Sequence, residues 1–332
     1  MHYPLPTVVR MPEATLPIAG RDYPGTFQQL TSWFHDEAAC RSYLERMRWP
    51  NGFVCPFCGA VSGWRTKDDL WLCASCRKKT SVTSGTIFHH SRLSLTTWFA
   101  AIWLVTADKN GVSALALQRQ LGLGSYETAW SLLHRLRRAM VRPGRERLSG
   151  LVEVDETYVG ARESGVAGRL VHGKAIVLIA VELHEPKGLG RARLAIVPEA
   201  SKLQIFDFVT RSVEQGATVR TDGWNLYKAL PDSGFVHEPI PVSGSGELAH
   251  VVLPGVHRVA SLLKRWIAGT LHSGISHEHL GYYLDEFTFR FNRRSSTRRG
   301  LLFYRLLDQA VHADPLTGPE LVGGTRTHNI WW

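Results

Sequence analysis

The sequence predicts an α/β fold for its second half, led by a small cysteine-paired module and a helix-turn-helix segment. Three observations carry this. Two CxxC pairs lie close together in a turn-rich, aromatic stretch. Apolar residues then recur at helical spacing from Ser94 to Met140. Beyond Gly150, β-rich apolar runs alternate with helical ones.

Bulk composition bounds the rest. At 332 residues the chain is long enough for two or three domains, and its 44% hydrophobic content suits packed cores. No stretch approaches the roughly 18 uncharged apolar residues of a membrane span, so no membrane partner is expected. The opening "MHYPLPTVVRMPEATLP" lacks the basic-then-apolar pattern of a secretory leader, which points to a cytoplasmic protein. A net charge of +10 and a pI near 9.6 favour a polyanionic partner, nucleic acid before membrane.

The elements follow in order. Residues 1–25 are proline-rich and without periodicity, a loose arm. Residues 26–92 begin with a helix, "TFQQLTSWFHDEAACRSYLERMRW", whose stripe is Leu30, Trp33, Phe34, Ala38, Tyr43 and Leu44, and continue into the cysteine module. Residues 93–145 hold the helices "LTTWFAAIWLVTAD", "SALALQRQLGL" and "SYETAWSLLHRLRRAM", closed by Arg142-Pro143-Gly144. In residues 148–312, "LVEVDETYVG", "KAIVLIAVEL" and "ARLAIVPEA" predict strands, "KLQIFDFVTRSV" a helix, "ATVRTDGW" a buried strand and "GFVHEPIPV" a weaker one. Two helices follow, "VHRVASLLKRWIAGTLHSG" and the long "SHEHLGYYLDEFTFRFNRR"; the tail, 313–332, has little periodicity and is expected to be mobile.

Cys55 and Cys58 form "CPFCG", and Cys73 and Cys76 form "CASC". Each pair supplies two thiolates from one knuckle. Four thiolates satisfy tetrahedral Zn²⁺ with no open position, so the site is structural rather than catalytic. So small a segment has little core and needs the metal to fold. Cys40, left over, is expected as a buried apolar residue. Lys67, Arg77, Lys78 and Lys79 beside the knuckles suit a phosphate backbone or, equally, a solvated face.

In the helical segment, Ser125 suits an N-cap, and Leu115, Leu117, Leu121, Ala129, Leu132, Leu133 and Leu136 are expected to pack two helices around Gly122-Leu123-Gly124. The second helix carries His134, Arg135, Arg137 and Arg138. The layout is that of a helix-turn-helix whose second helix enters a major groove, with a plain helical bundle as the competing reading.

Asp155 sits late in an apolar strand, where a carboxylate is expensive without a partner. Asp222 again ends a β-rich run. Either alone suits a turn or cap; together, two strand-end carboxylates can converge on hard divalent cations. Five arginines, Arg290, Arg293, Arg294, Arg298 and Arg299, crowd the end of the long helix and suit DNA backbone or a solvated helix end.

"VDETYVG", "TDGWNLY" and "SLLKRWIAGTLHSGISHEHLGYYLDEFTFRFNRR", after a zinc ribbon, resemble insertion-sequence transposases with an RNase H-like DDE domain; the likeness runs from about residue 25 to 310. The resemblance implies a mixed sheet flanked by helices, with the first Asp on the first strand, the second after the fourth, and a third ligand on a later helix followed seven residues on by Lys. Carried over, these are Asp155, Asp222, His257 and Lys264, a DDHK variant. His257 lies 35 positions after Asp222 and seven before Lys264, two helical turns on one face. The usual residue at the third position is Glu; a neutral imidazole leaves the site one negative charge short and favours Mn²⁺ over Mg²⁺ more than a carboxylate would. Glu247, Asp285 and Glu286 are the acids available to rescue it, although Glu286 suits an ion pair with Arg290 at helical spacing.

The resemblance thus implies a DNA transposase, associated with the bacterial nucleoid, that binds the inverted repeats at its element's ends. It cuts there and joins the freed 3′ ends to target duplex DNA with Mg²⁺ or Mn²⁺, acting as at least a dimer. Arg135, Arg137, Arg138, Lys264, Arg265, Arg293 and Arg294 are the expected DNA contacts. The alternative is a domesticated, catalytically inactive transposase acting as a DNA-binding protein. A nuclease acting on RNA–DNA hybrids is a third reading, disfavoured by the two N-terminal modules.

Overall fold

The computed structural model describes residues 16–142, 144–160, 174–184, 186, 188–240, 252–271 and 275–324. Helices α1 (Phe27–Trp33) and α2 (Glu37–Arg48) replace the single helix expected over that stretch. The break is chemical: Asp36 leaves helical geometry and its carboxylate caps α2 by accepting from the Ala39 amide at 2.8 Å. The break also rotates the stripe. Ala38 is exposed, and Cys40, fully buried, takes the inward place.

The cysteine module is a three-stranded antiparallel sheet, β1 (Gly63–Arg65), β2 (Trp71–Cys73) and β3 (Lys79–Thr80). Its small core is aromatic: Phe53 stacks on Trp71 at 4.8 Å. A Cβ on Gly63 would lie 2.7 Å from the Phe53 ring, so glycine is required where the strand passes over it.

Three helices follow: α3 (Leu95–Ala107), α4 (Ala114–Leu121) and α5 (Tyr126–Ala139). Gly122 closes α4 in the left-handed region at φ 61°, and the Ser125 hydroxyl caps α5 by accepting from Thr128. Leu117, Ala129, Leu132, Leu133 and Leu136 are buried as expected. Leu115 is a correction: it is 45% exposed, because α4 turns its Ala114–Leu117 face inward.

A five-stranded sheet makes the second half. Its strands are β4 (Leu151–Val159), β5 (Ala175–Leu183), β6 (Leu189–Val197), β7 (Thr218–Thr221) and β8 (Val236–Pro239), ordered β6-β5-β4-β7-β8. The β4–β5 and β5–β6 pairs are antiparallel, whereas β4–β7 and β7–β8 are parallel. Alternation along β4 sorts its side chains between two cores. Val152 and Val154 face α6 (Lys202–Ser212), with Ile205, Phe208 and Tyr227. Val159 faces the opposite layer, made by α7 (Pro254–Leu271) and α8 (Leu280–Phe291).

The long helix expected at the end stops at Phe291, and a separate helix, α9 (Arg299–His312), follows. It leaves the sheet and packs into the N-terminal helices, where Phe303, Leu306 and Leu307 share one core with Phe34, Leu44 and Phe99. The two halves of the chain are therefore interlocked. Residues on both sides of the expected boundaries are packed too. Tyr23 is 1% exposed against Tyr304, and a Cβ on Gly300 would run into the Pro24 carbonyl. Further on, α10 (Gly318–Val322) opens with a Thr317–Glu320 capping box and buries Leu321 near Tyr282. Among the described residues, no helix is long and apolar enough to cross a membrane.

The basic residues of α5 divide. His134 is fully buried, and burial followed by the Arg137 charge pushes its imidazole down to about 2, so it is neutral. The Arg137 guanidinium is 3% exposed and donates through Nε to Glu286 on α8 at 2.8 Å. Arg137 is thus corrected from a DNA contact to a structural cation. Replacing it with Ala leaves a buried carboxylate short of a partner and should cost about 3 kcal/mol of stability, read from the urea midpoint. A surface DNA contact would leave that midpoint unchanged.

Candidate metal centres and nucleic-acid surface

The two knuckles have the same construction. In each, the fifth residue returns its amide to the first cysteine's carbonyl: Gly59 to Cys55 at 2.9 Å and Arg77 to Cys73 at 3.1 Å. Both fifth residues are left-handed, Gly59 at φ 74° and Arg77 at φ 57°, so the second knuckle accepts strain that glycine avoids in the first. The four sulfurs lie within 4.8 Å of one another, with Cys55–Cys76 at 3.6 Å and Cys58–Cys73 at 3.7 Å. A zinc tetrahedron with bonds of about 2.3 Å has edges of about 3.8 Å, so the donor set fits the ion. Backbone amides of Cys76 and Ser75 pull the Cys73 thiol down to about 6, while, against the Lys78 amide, burial and the neighbouring sulfurs push Cys76 up to about 11, so the four sulfurs titrate as one group. Around the knuckles, Arg77 lies over the Trp64 ring, Lys78 over Phe57, and Lys79 meets Asp68 at 3.5 Å.

The second cluster forms where β4, β7 and α7 meet. Asp155 lies on the first strand of the five-stranded sheet and Asp222 directly after the fourth. The parallel register pairs Glu153 with Arg220; continued two residues, it sets Asp222 beside Asp155. The Asp222 carboxylate accepts from the Trp224 amide at 2.9 Å, which shapes the turn. His257 lies in the first turn of α7 and points its Nε2 at the Asp155 carboxylate, 3.7 Å away. Burial, then the Glu156 charge, raises the Asp155 carboxyl to about 8, and Asp222 adds to the rise. Such crowding of acid is what a bound cation relieves. The ligand atoms of Asp155, Asp222 and His257 are spread more widely than those of the cysteines, which form the tight group of ligands among the described residues.

Lys264 stands two turns beyond His257, at the wall of a cavity of about 550 Å³ that also touches Tyr158, Gly160 and His277. Desolvation and Lys174 lower its ammonium below the usual lysine range. Arg265 beside it is exposed. Arg293 and Arg294 are engaged with the fold: Arg293 covers the Phe289 ring at 4.1 Å, and Arg294 donates to the carbonyls of Gly190, Leu189 and Phe291. Arg135 donates to the carbonyls of Ile87 and His89, and Arg138 is half-buried. Of the rescue acids, Glu286 is held by Arg290 at 2.7 Å as well as by Arg137, and Glu247 lies outside the described residues.

Three neighbours carry roles that sequence reasoning had not assigned. Glu156 joins the acidic cluster, and the buried Tyr227 donates to it at 3.3 Å. Glu153 is fully buried two residues before Asp155, on the same face of β4, and accepts from the Val256 amide at 2.9 Å. It therefore caps the start of the helix that carries His257. A Cβ on Gly255 would lie 2.7 Å from the Glu153 carboxylate and 2.8 Å from Leu183, so the helix reaches the strand only because that residue is glycine. The signal was visible in "EVDE": three acids among four positions of an otherwise apolar strand.

A model of the ISXO2-like transposase domain matches residues 147–292, and one of the transposase zinc-ribbon domain matches residues 35–79. An uncharacterized protein in transposable element ISH50 of Halobacterium salinarum is 30% identical over 277 residues, which cover 77% of this chain and 91% of that protein.

Two outcomes follow from the geometry. Stripping metal with a chelator, or changing Cys73→Ser, should lower the melting temperature by about 10 °C and alter the fluorescence of Trp49 and Trp71, as expected of a zinc-dependent fold. Glu153→Ala strands the first amides of α7 and should cost about 1–3 kcal/mol in denaturant unfolding, whereas Glu153→Gln, which keeps an acceptor, should cost less.

Proposed function

The chain belongs to the insertion-sequence transposases that pair a zinc ribbon with an ISXO2-like transposase domain, and from that membership and the site above we propose that it is an active DNA transposase. The observation that supports the reading is the His257 Nε2 3.7 Å from the Asp155 carboxylate, with Asp222, just past the neighbouring strand, close enough to raise that carboxyl. The strand order, with the first Asp on the first strand and the second after the fourth, supports an RNase H-like fold for this half. The four clustered sulfurs support structural zinc in the ribbon. The ribbon and the α4–α5 helix-turn-helix are assigned to the element's terminal inverted repeats, and the net charge of +10 supports a polyanionic partner.

Asp155, Asp222 and His257 would hold divalent metal, Mg²⁺ or Mn²⁺, since two carboxylates and a neutral imidazole are suitable donors for either. Bound there, such a cation lowers the pKa of water or of a 3′-hydroxyl and neutralises charge on the phosphate. The chain's own groups do the positioning. Glu153 fixes the first turn of α7, which sets the His257 imidazole against Asp155. Lys264 presents a point charge toward a phosphate, and Arg265 extends the basic face. Water attacks the phosphodiester at the element end and releases a 3′-hydroxyl. That hydroxyl then attacks a target phosphodiester, exchanging one ester bond for another. No covalent bond to Ser or Tyr is needed. Joining two ends calls for at least two subunits on DNA.

Purified protein should nick and join end-containing duplex DNA with Mg²⁺ or Mn²⁺. Asp155→Ala and Asp222→Ala should each reduce both steps by at least a hundredfold while leaving DNA binding in place. His257→Ala should abolish strand transfer in the same way. Full activity in either aspartate variant would sink the site assignment; an inert parent under Mn²⁺ would favour a DNA-binding protein without catalysis.

A further inference from the structure

A second basic site lies away from the acidic cluster, in the seam where the free edge of the five-stranded sheet meets the N-terminal helical body. A cavity of about 440 Å³ opens there between the end of α5, edge strand β6, the C-terminal end of α8 and the middle of α9. Six arginines line it: Arg142, Arg145, Arg191, Arg193, Arg293 and Arg305. Only two acids, Glu146 and Asp308, share the lining.

The local ion pairs do not balance this charge. Glu146 is occupied by Arg142 at 2.7 Å, and Arg191 is turned to Glu182 at 2.6 Å. Asp308 is raised by burial, toward its neutral form. Arg193, 4% exposed, donates only to the carbonyls of Ala192 and Glu146, at 3.0 and 2.6 Å. Arg293 donates to the Phe289 carbonyl, and its buried Nε has no hydrogen-bond acceptor. Desolvation and then the like charges of Arg305, Arg142 and Arg193 push the Arg293 guanidinium down to about 10. Desolvation, followed by Arg191, brings Arg193 to about 10 as well. Guanidiniums gathered at such cost, one of them with a buried Nε left without an acceptor, suit a compact anion with several acceptor oxygens.

We propose that this seam cavity is a phosphate-binding site occupied by the backbone of the DNA substrate. The choice of DNA as the source of the phosphate rests on the transposase reading; the anion chemistry does not. A phosphate held there touches β6 and α8 of the sheet layer as well as α5 and α9 of the helical body, so binding would also brace the two against each other.

The test uses the full chain, with Arg305→Gln and Arg305→Lys, because this side chain is exposed and its loss spares the core. In the absence of DNA, inorganic phosphate should raise the melting temperature of the parent above that in chloride of equal ionic strength. Arg305→Gln should melt no lower than the parent in chloride and gain less from phosphate; Arg305→Lys should retain the gain. For duplex DNA, Arg305→Gln should flatten the plot of log affinity against log salt by about 0.9, one phosphate contact, while Arg305→Lys keeps the parent slope. An unchanged phosphate response and an unchanged DNA slope would overturn the site. A lost phosphate response with an unchanged DNA slope would overturn DNA as the occupant and leave a small-anion site. Asp155→Ala, measured alongside, should keep the parent slope, so failure of the catalytic reading and failure of this one give different results.

Discussion

The orientation of the two halves depends on one buried carboxylate. Glu286 is 1% exposed on α8, and it accepts from Arg137 of α5 at 2.8 Å and from Arg290 of its own helix at 2.7 and 2.9 Å. Burial alone would raise this carboxyl; Arg290 and Arg137 outweigh it and hold the group ionised. Arg290 then reaches on to the carbonyls at the end of α3, Val105 and Asp108, both at 2.8 Å. One acid thus joins three helices. A buried ion pair is weak evidence of net stability, but a charge without its partner in that place is costly. Packings that separate α5 from α8 are therefore excluded, and the interlock of α9 with the N-terminal core repeats the constraint.

This constraint explains why linear boundaries misjudge the molecule. Periodicity located the strands of the second half and most helices, though not the split between α1 and α2 or the helices α9 and α10, because alternation in "LVEVDETYV" and helical spacing in "SYETAWSLLHRLRRAM" are local properties. What a helix packs against is not local. The apolar face of α9 has the same spacing whether it covers the sheet or the N-terminal helices, and it covers the latter. Likewise, four basic residues on α5 look alike in sequence. The tertiary partners, Glu286 for Arg137 and the Ile87 and His89 carbonyls for Arg135, distinguish structural cations from surface ones.

The candidate sites were legible to different depths. The cysteines were fully legible, since a CxxC spacing dictates a knuckle and two knuckles in one hairpin must approach. Asp155 and Asp222 were legible as acids of β-rich runs; Asp222 does follow its strand, whereas Asp155 lies in the middle of β4, beside the end of the parallel pairing with β7. The supporting groups were not. Gly255 carries no pattern of its own; its need appears only when Glu153 is found 2.7 Å from where its Cβ would be. The seam arginines come from four separate elements, and no sequence window contains them all.

On the proposed reading, His257 stands where a third carboxylate is usual. A third carboxylate there would face Asp155 at the distance where His257 stands, 3.7 Å, in a pocket where burial and Glu156 already press the Asp155 carboxyl up to about 8. Every further negative charge would deepen that penalty before any cation arrived. Glu156 also changes the count of charge. The sequence pattern leaves a DDHK site one acid short, yet Glu156 follows Asp155 directly and is near enough to shift it, with Tyr227 donating to its carboxylate. An imidazole at position 257 therefore adds no charge to carboxylates that already press on one another. It offers a neutral donor where acid is already in excess, and the neighbouring strand residue supplies the negative charge that the helix does not.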